Sequence, residues 1–178
     1  MKNETMITKS SFTIVVKDLE WITGEKDDPD DLCLHGLTTA TIGDRVLEYH
    51  ATVSATALYL LKTLTENHMI HEDNQMLPCC GFFMVPDEEL TTVTIIGCDN
   101  GIDWSVIHED ENVRIILEDG YQVVVPFESY KNEVLRFADY IEEFYSMCTP
   151  KNLPEDEYDT NGYRAFWNEW HRRRNQYK

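Results

Sequence analysis

The stretch from Thr92 to Val125 sets the tightest limit on what this chain can become. Four apolar segments, Thr92–Cys98, Ile102–His108, Val113–Leu117 and Tyr121–Val125, follow one another there with short polar links between them. Short strands in close succession argue an antiparallel meander of at least four strands. Asp99-Asn-Gly101 has the Asn-Gly signature of a hairpin turn, which needs positive φ, and Glu118-Asp-Gly120 reads as another turn. Glu109-Asp-Glu111 is an acidic link between the second and third segments.

Pro126 closes this run and opens the longest helix, about 127–148. Tyr130, Val134, Phe137/Ala138, Ile141 and Phe144/Tyr145 trace one apolar stripe along it, with charged residues between them. Pro150 and Pro154 stop that helix, and a last one is expected over 160–176, capped by Asp159 or Thr160. In this last helix Phe166 and Trp170 should dock, and Trp167 is the residue expected to stay partly exposed.

Upstream, Phe12–Val16 and Leu19–Ile22 read as one strand bent near Asp18. Residues 33–42 and 45–50 read as a hairpin turning at Gly43-Asp44. Ser54 begins an expected helix over 54–67, with Thr52 or Val53 as alternative boundaries. Residues 76–85, MLPCCGFFMV, are a continuous apolar run suited to a buried strand. The fold class expected is α+β: a single domain over 1–178, with an antiparallel meander and about three helices packed against it.

Charge is the second constraint. The chain carries 33 acids against 15 bases, a net charge of −18, which argues against direct binding to nucleic acid or an anionic membrane. Four of the bases (Arg172, Arg173, Arg174 and Lys178) crowd the end of the chain, where cations complement a helix C-terminus. The opening MKNETMITKSS has no apolar core of a signal peptide, and no run is long enough to span a bilayer. Five cysteines, an odd number and mostly in apolar stretches, read as buried, reduced thiols of a cytoplasmic protein. Adjacent Cys79 and Cys80 would point to opposite faces of a strand.

The motifs for chemistry are sparse. His68-x-x-His71 with Glu72 and Asp73, or Cys33-x-His35, offers half of a zinc set and no second half at a recognisable spacing. Asp27-Asp28-Pro29-Asp30-Asp31 has oxygen ligands without the order of an EF-hand loop. Phosphate-binding glycine motifs and the Gly-x-Ser-x-Gly elbow do not occur. No cofactor, metal or catalytic residue is therefore assigned. The partner-binding residues expected are Asp27, Asp28, Asp30 and Asp31, then Glu109, Asp110 and Glu111, with Trp167 as an aromatic anchor. Both acidic groups lie in loops and neither is needed for a core.

In size, acidity and its pattern of strands followed by a long helix, the chain resembles bacterial immunity proteins of polymorphic or contact-dependent toxin systems. The resemblance implies a non-enzymatic protein that binds a basic partner, a toxin nuclease domain, and blocks its site with carboxylates where substrate phosphates would lie. Two other readings stay open: a DNA-mimic inhibitor with a long spaced array of carboxylates, and a small metal-dependent hydrolase with convergent His, Cys or Asp.

Overall fold

The computed structural model describes residues 11–72 and 74–178. The reading of the opening segment, and Asp73 of the histidine loop, lie outside these residues. Ten strands and three helices follow in the order β1 (Phe12–Glu20), β2 (His35–Ile42), β3 (Arg45–Thr52), α1 (Val53–Lys62), β4 (Leu77–Pro78), β5 (Phe83–Pro86), β6 (Val93–Ile96), β7 (Gly101–Ile102), β8 (Trp104–Glu109), β9 (Asn112–Leu117), β10 (Gln122–Pro126), α2 (Phe127–Met147) and α3 (Glu157–Asn175). All strand pairing is antiparallel among these elements. The fold is α+β, as expected.

The first sheet has the order β1-β2-β3. In β2 every second residue is buried, Gly36, Thr38, Ala40 and Ile42, so one face looks inward. The β2–β3 hairpin turns on two residues, Gly43 and Asp44, and Gly43 has φ +58°. A Cβ at Gly43 would strike the Tyr121 hydroxyl, which instead accepts the Asp44 N–H at 3.0 Å. Strand β1 bends where expected: its register shifts between Lys17 and Glu20, and Asp18 has φ +52°. Its edge is capped from α2, because the Ile14 N–H donates to Glu133 at 2.8 Å and Arg136 donates to the Ile14 carbonyl. An edge strand tied this way offers no free ladder there to a second chain.

The run from Thr92 to Val125 divides between sheets. Strands β8, β9 and β10 form the expected meander, with the order β10-β9-β8. The segment 92–98 does not join it, which corrects the four-strand reading. Strand β6 pairs back on β5, and β7 pairs with β4. The Asn100–Gly101 step is therefore no hairpin apex. Gly101 is needed because the Leu77 carbonyl would lie 2.5 Å from any Cβ there. The run 76–85 also divides, into β4 and β5, with Phe82 and Phe83 exposed rather than buried.

Helix α1 leaves β3 without a loop and is buried from Val53 to Leu61. An all-round apolar helix belongs at the centre of a core, and α2, α3, β2 and β4 pack around it. Ser54 does not cap it. The Leu34 carbonyl accepts the Val53 N–H at 2.8 Å, so a backbone oxygen does the work of a cap, and the helix ends at Lys62 rather than at 67.

Helix α2 buries Tyr130, Val134, Phe137, Ala138 and Ile141 of the expected stripe, and Phe144 and Tyr145 at its end are partly buried. Phe12 joins it to both larger sheets, with its ring 5.0 Å from Tyr130 and 6.3 Å from Trp104. Helix α3 starts at Glu157, earlier than expected, because the Asp156 carboxylate accepts the N–H groups of Tyr158 and Asp159. It packs on β5 so closely that a Cβ at Gly162 would strike the Met84 carbonyl. Phe166 and Trp170 are buried as expected. On the same helix Glu169, only 1% exposed, accepts from Arg173 at 2.8 Å and from the Val93 N–H at 2.8 Å, and Lys62 lies 3.6 Å away. The basic end of the chain is thus tied inward: Arg173 also reaches Glu66, and Arg174 forks onto Asp139. No helix among the described residues is long and apolar enough to cross a membrane.

Candidate protein-binding face

The loop 21–34 between β1 and β2 carries the densest acids. Trp21 is buried at its start and donates from its indole to the Lys26 carbonyl at 3.2 Å. Asp31 spans the loop, accepting the Ile22 N–H at 2.7 Å and the Cys33 N–H at 3.0 Å. Asp28 accepts the Thr23 hydroxyl and the Asp30 N–H, each at 3.0 Å. The outer side of the loop docks on residues 149–152. There Pro150 prevents α2 from continuing, and Thr149 donates both its N–H and its hydroxyl to Asp27 Oδ2, at 2.9 and 2.6 Å. Asn152 donates to Asp30 at 2.7 Å and its N–H to the Pro29 carbonyl at 2.8 Å.

These acids hold the loop together as well as charging it. The Thr149 hydroxyl, then its N–H, holds the Asp27 carboxyl below its ordinary pKa. The Asp30 N–H and the Thr23 hydroxyl do the same for Asp28. Hydrogen bonds that favour the charged form keep both groups ionised further into acid.

An aromatic seam runs from this loop to α3. The Tyr145 ring meets Trp21 edge-on at 5.2 Å and Trp167 edge-on at 5.0 Å. Its hydroxyl donates to the Leu32 carbonyl at 2.7 Å and accepts the Leu34 N–H at 3.1 Å. Burial raises the Tyr145 phenol well above its ordinary pKa, so it stays a neutral donor. Trp167 is partly exposed, with the Phe166, Trp170 and His171 ring centroids within 5.5 Å of its own. Lys151 shows how a cation sits here: its Nζ is 3.1 Å from the Trp21 ring centroid and donates to the Asp28 carbonyl.

Glu109, Asp110 and Glu111 lie elsewhere. The Glu111 carbonyl accepts the Phe127 N–H at 2.9 Å, at the start of α2, whereas Asp27 and Tyr145 meet its end. A helix of 21 residues puts about 30 Å between the two acidic groups. Glu109 is also neutralised locally by a two-pronged contact with Arg114, at 2.6 and 2.8 Å. The structure brings Asp27, Asp28, Asp30, Asp31 and Trp167 to one end of α2 and leaves Glu109, Asp110 and Glu111 at the other.

The histidine set does not converge. His68 is buried against Asp103 at 2.8 Å, whereas His71 is 79% exposed and lies 3.8 Å from Glu118. Cys33 is buried and its thiol is pushed up to about 12 by desolvation, while His35 stacks on His50. Only Cys33 of the five cysteines is buried; Cys80 is exposed and the others are intermediate, contrary to expectation. Cys79 and Cys80 do not point apart: both come together with Cys98. Sequence reading missed Tyr145, Thr149 and Lys151 as the partners of the acidic loop. The Pro-bounded segment after α2 was their one local signal. No family model matches this chain, and no curated protein and no solved structure is significantly similar to it.

Proposed function

We propose that this chain is a non-enzymatic protein that captures a basic protein partner through the face at the C-terminal end of α2, in the manner of an immunity protein that blocks a toxin. The observation that carries this reading is that Tyr145 joins Trp21 and Leu32, which flank the aspartate stretch 27–31, to Trp167. A partly exposed tryptophan beside fixed carboxylates combines an aromatic anchor with a field that attracts cations. The bases of the fold do little to cancel that field outside, because Arg114, Lys131, Arg136, Arg173 and Arg174 are engaged with carboxylates of the same chain. A Lys or Arg of the partner would lie on the aromatic seam as Lys151 lies on Trp21, with the aspartates around it. Occlusion then follows from carboxylates standing where an anionic substrate would bind.

The test begins with capture of partners by the purified chain at low salt, followed by binding kinetics on the partner recovered. Changing Asp27, Asp28, Asp30 and Asp31 together to Asn keeps an acceptor oxygen at each position. It should slow association and flatten its dependence on salt, whereas Trp167→Ala should speed dissociation. A basic partner whose rates ignore both variants at low salt would refute this face.

A further inference from the structure

Three thiols converge beside the first turn of α1. The ligand atoms of Cys79, Cys80 and Cys98 all lie within 4.8 Å of one another, and the sulfurs of Cys80 and Cys98 are 3.4 Å apart. A tetrahedral Zn²⁺ with bonds of about 2.3 Å to sulfur holds its sulfurs about 3.8 Å apart. One pair at 3.4 Å, with the third sulfur within 4.8 Å of both, is compatible with that value.

The surrounding backbone fixes the three positions. Pairing of β4 with β7, extended by the Cys79 N–H donating to the Asn100 carbonyl at 3.0 Å, lays residues 79–80 alongside 98–100. The Thr52 hydroxyl donates to the Cys79 carbonyl at 3.0 Å. Gly81 lets the chain press on that residue, since a Cβ would sit 2.6 Å from the Thr52 methyl. The thiols are also supplied with donors. The Asn100 N–H donates to the Cys98 sulfur. The Tyr49 side chain hydrogen-bonds with Cys79. N–H and O–H donors aimed at sulfur are what a bound thiolate needs outside the metal. Next to the cluster opens a groove of about 420 Å³ lined by Cys79, Cys80, Asp28, Asp30 and Asp31. Its carboxylates raise the local concentration of cations.

We propose that Cys79, Cys80 and Cys98 form a three-thiolate site for zinc, with the fourth coordination position left to solvent. Binding displaces one proton from each thiol to the solvent, so three sulfurs and one Zn²⁺ leave the site with a single negative charge. Affinity falls as pH drops, because the thiols must give up those protons. The site is independent of the partner-binding reading and stands or falls by metal binding alone.

The test uses the full chain, reduced and freed of metal, titrated anaerobically with Co²⁺ and then with Zn²⁺. One equivalent of Co²⁺ should give a thiolate-to-cobalt charge-transfer absorption with visible bands of tetrahedral strength, and Zn²⁺ should bleach both. Cys98→Ser and Cys80→Ser should each abolish the absorption and weaken Zn²⁺ binding by more than about 100-fold. Cys148→Ser, whose thiol lies outside the cluster, should change neither. Circular dichroism of each variant separates a lost site from a lost fold, and the wild-type titration decides the matter even if a variant fails to fold. No charge-transfer band in wild-type protein with all five thiols titratable would overturn the site, as would a band that survives Cys98→Ser in folded protein. A Cys80–Cys98 disulfide, seen as two thiols missing before reduction and regained after it, would overturn it as well.

Discussion

The two ends of α2 carry similar acids and use them differently. At the start of the helix, Asp110 and Glu111 form the two-residue tip of the β8–β9 hairpin, and Arg114 of β9 holds Glu109 at the end of β8. At its end, Asp27 and Asp30 tie the loop to residues 149–152, Asp28 and Asp31 fold it, and its flanking Trp21 reaches Trp167 through Tyr145. The difference shows that density of charge in a sequence does not identify an interface by itself. A cluster becomes one when the fold fixes its geometry and sets a large, partly exposed side chain beside it.

That contrast can be tested through stability, beginning where the effect is greatest. Glu169→Ala removes the buried partner of Arg173 that anchors α3 and so holds Trp167 in place. Leaving a buried cation short of its partner should cost about 3–5 kcal/mol in denaturant unfolding. Tyr145→Phe deletes the hydroxyl between the Leu32 carbonyl and the Leu34 N–H, and should cost about 1–3 kcal/mol. At the other end of the helix, Glu111→Gln on the hairpin tip should stay within about 0.5 kcal/mol of wild type. Equal losses for Tyr145→Phe and Glu111→Gln would erase the distinction between the ends.

Acid unfolding sharpens the same comparison with a smaller signal. The folded pKa values of Asp27 and Asp28 are depressed, so the stability they contribute is present above the unfolded value, about 3.9. It is lost as pH falls below that value toward their folded pKa. Asp27→Asn with Asp28→Asn should therefore flatten the acid limb of a stability-against-pH curve below about pH 4. An acid limb that keeps its wild-type slope in this double variant would show that these hydrogen bonds contribute nothing to stability.

Much of the fold was legible because its signals are local. The alternation of β2, the Gly43-Asp44 turn, the β8–β10 meander and the stripe of α2 each sit within a short window of sequence. What was not legible depends on contacts between distant segments. Strands β4 and β7 have two residues each, too few for a period, and their pairing brings Cys98 to Cys80. Asp27 reads as a free surface acid until Thr149 is folded against it. Ser54 reads as a cap until the Leu34 carbonyl takes that place. In the candidate face, acids and Trp167 were each visible, but their adjacency passes through Tyr145, which read as part of the apolar stripe of α2.

The burial of α1 on all sides has a consequence for synthesis. Residues 53–62 leave the ribosome well before the helices that enclose them, since 63–126 must be made before α2 begins. At roughly 5–20 residues per second, that is an interval of several seconds. For that time Leu58, Leu60 and Leu61 have no native shelter from α2 or α3. A nascent chain halted after β10 should therefore bind a hydrophobic-segment chaperone, and release it once α3 has emerged.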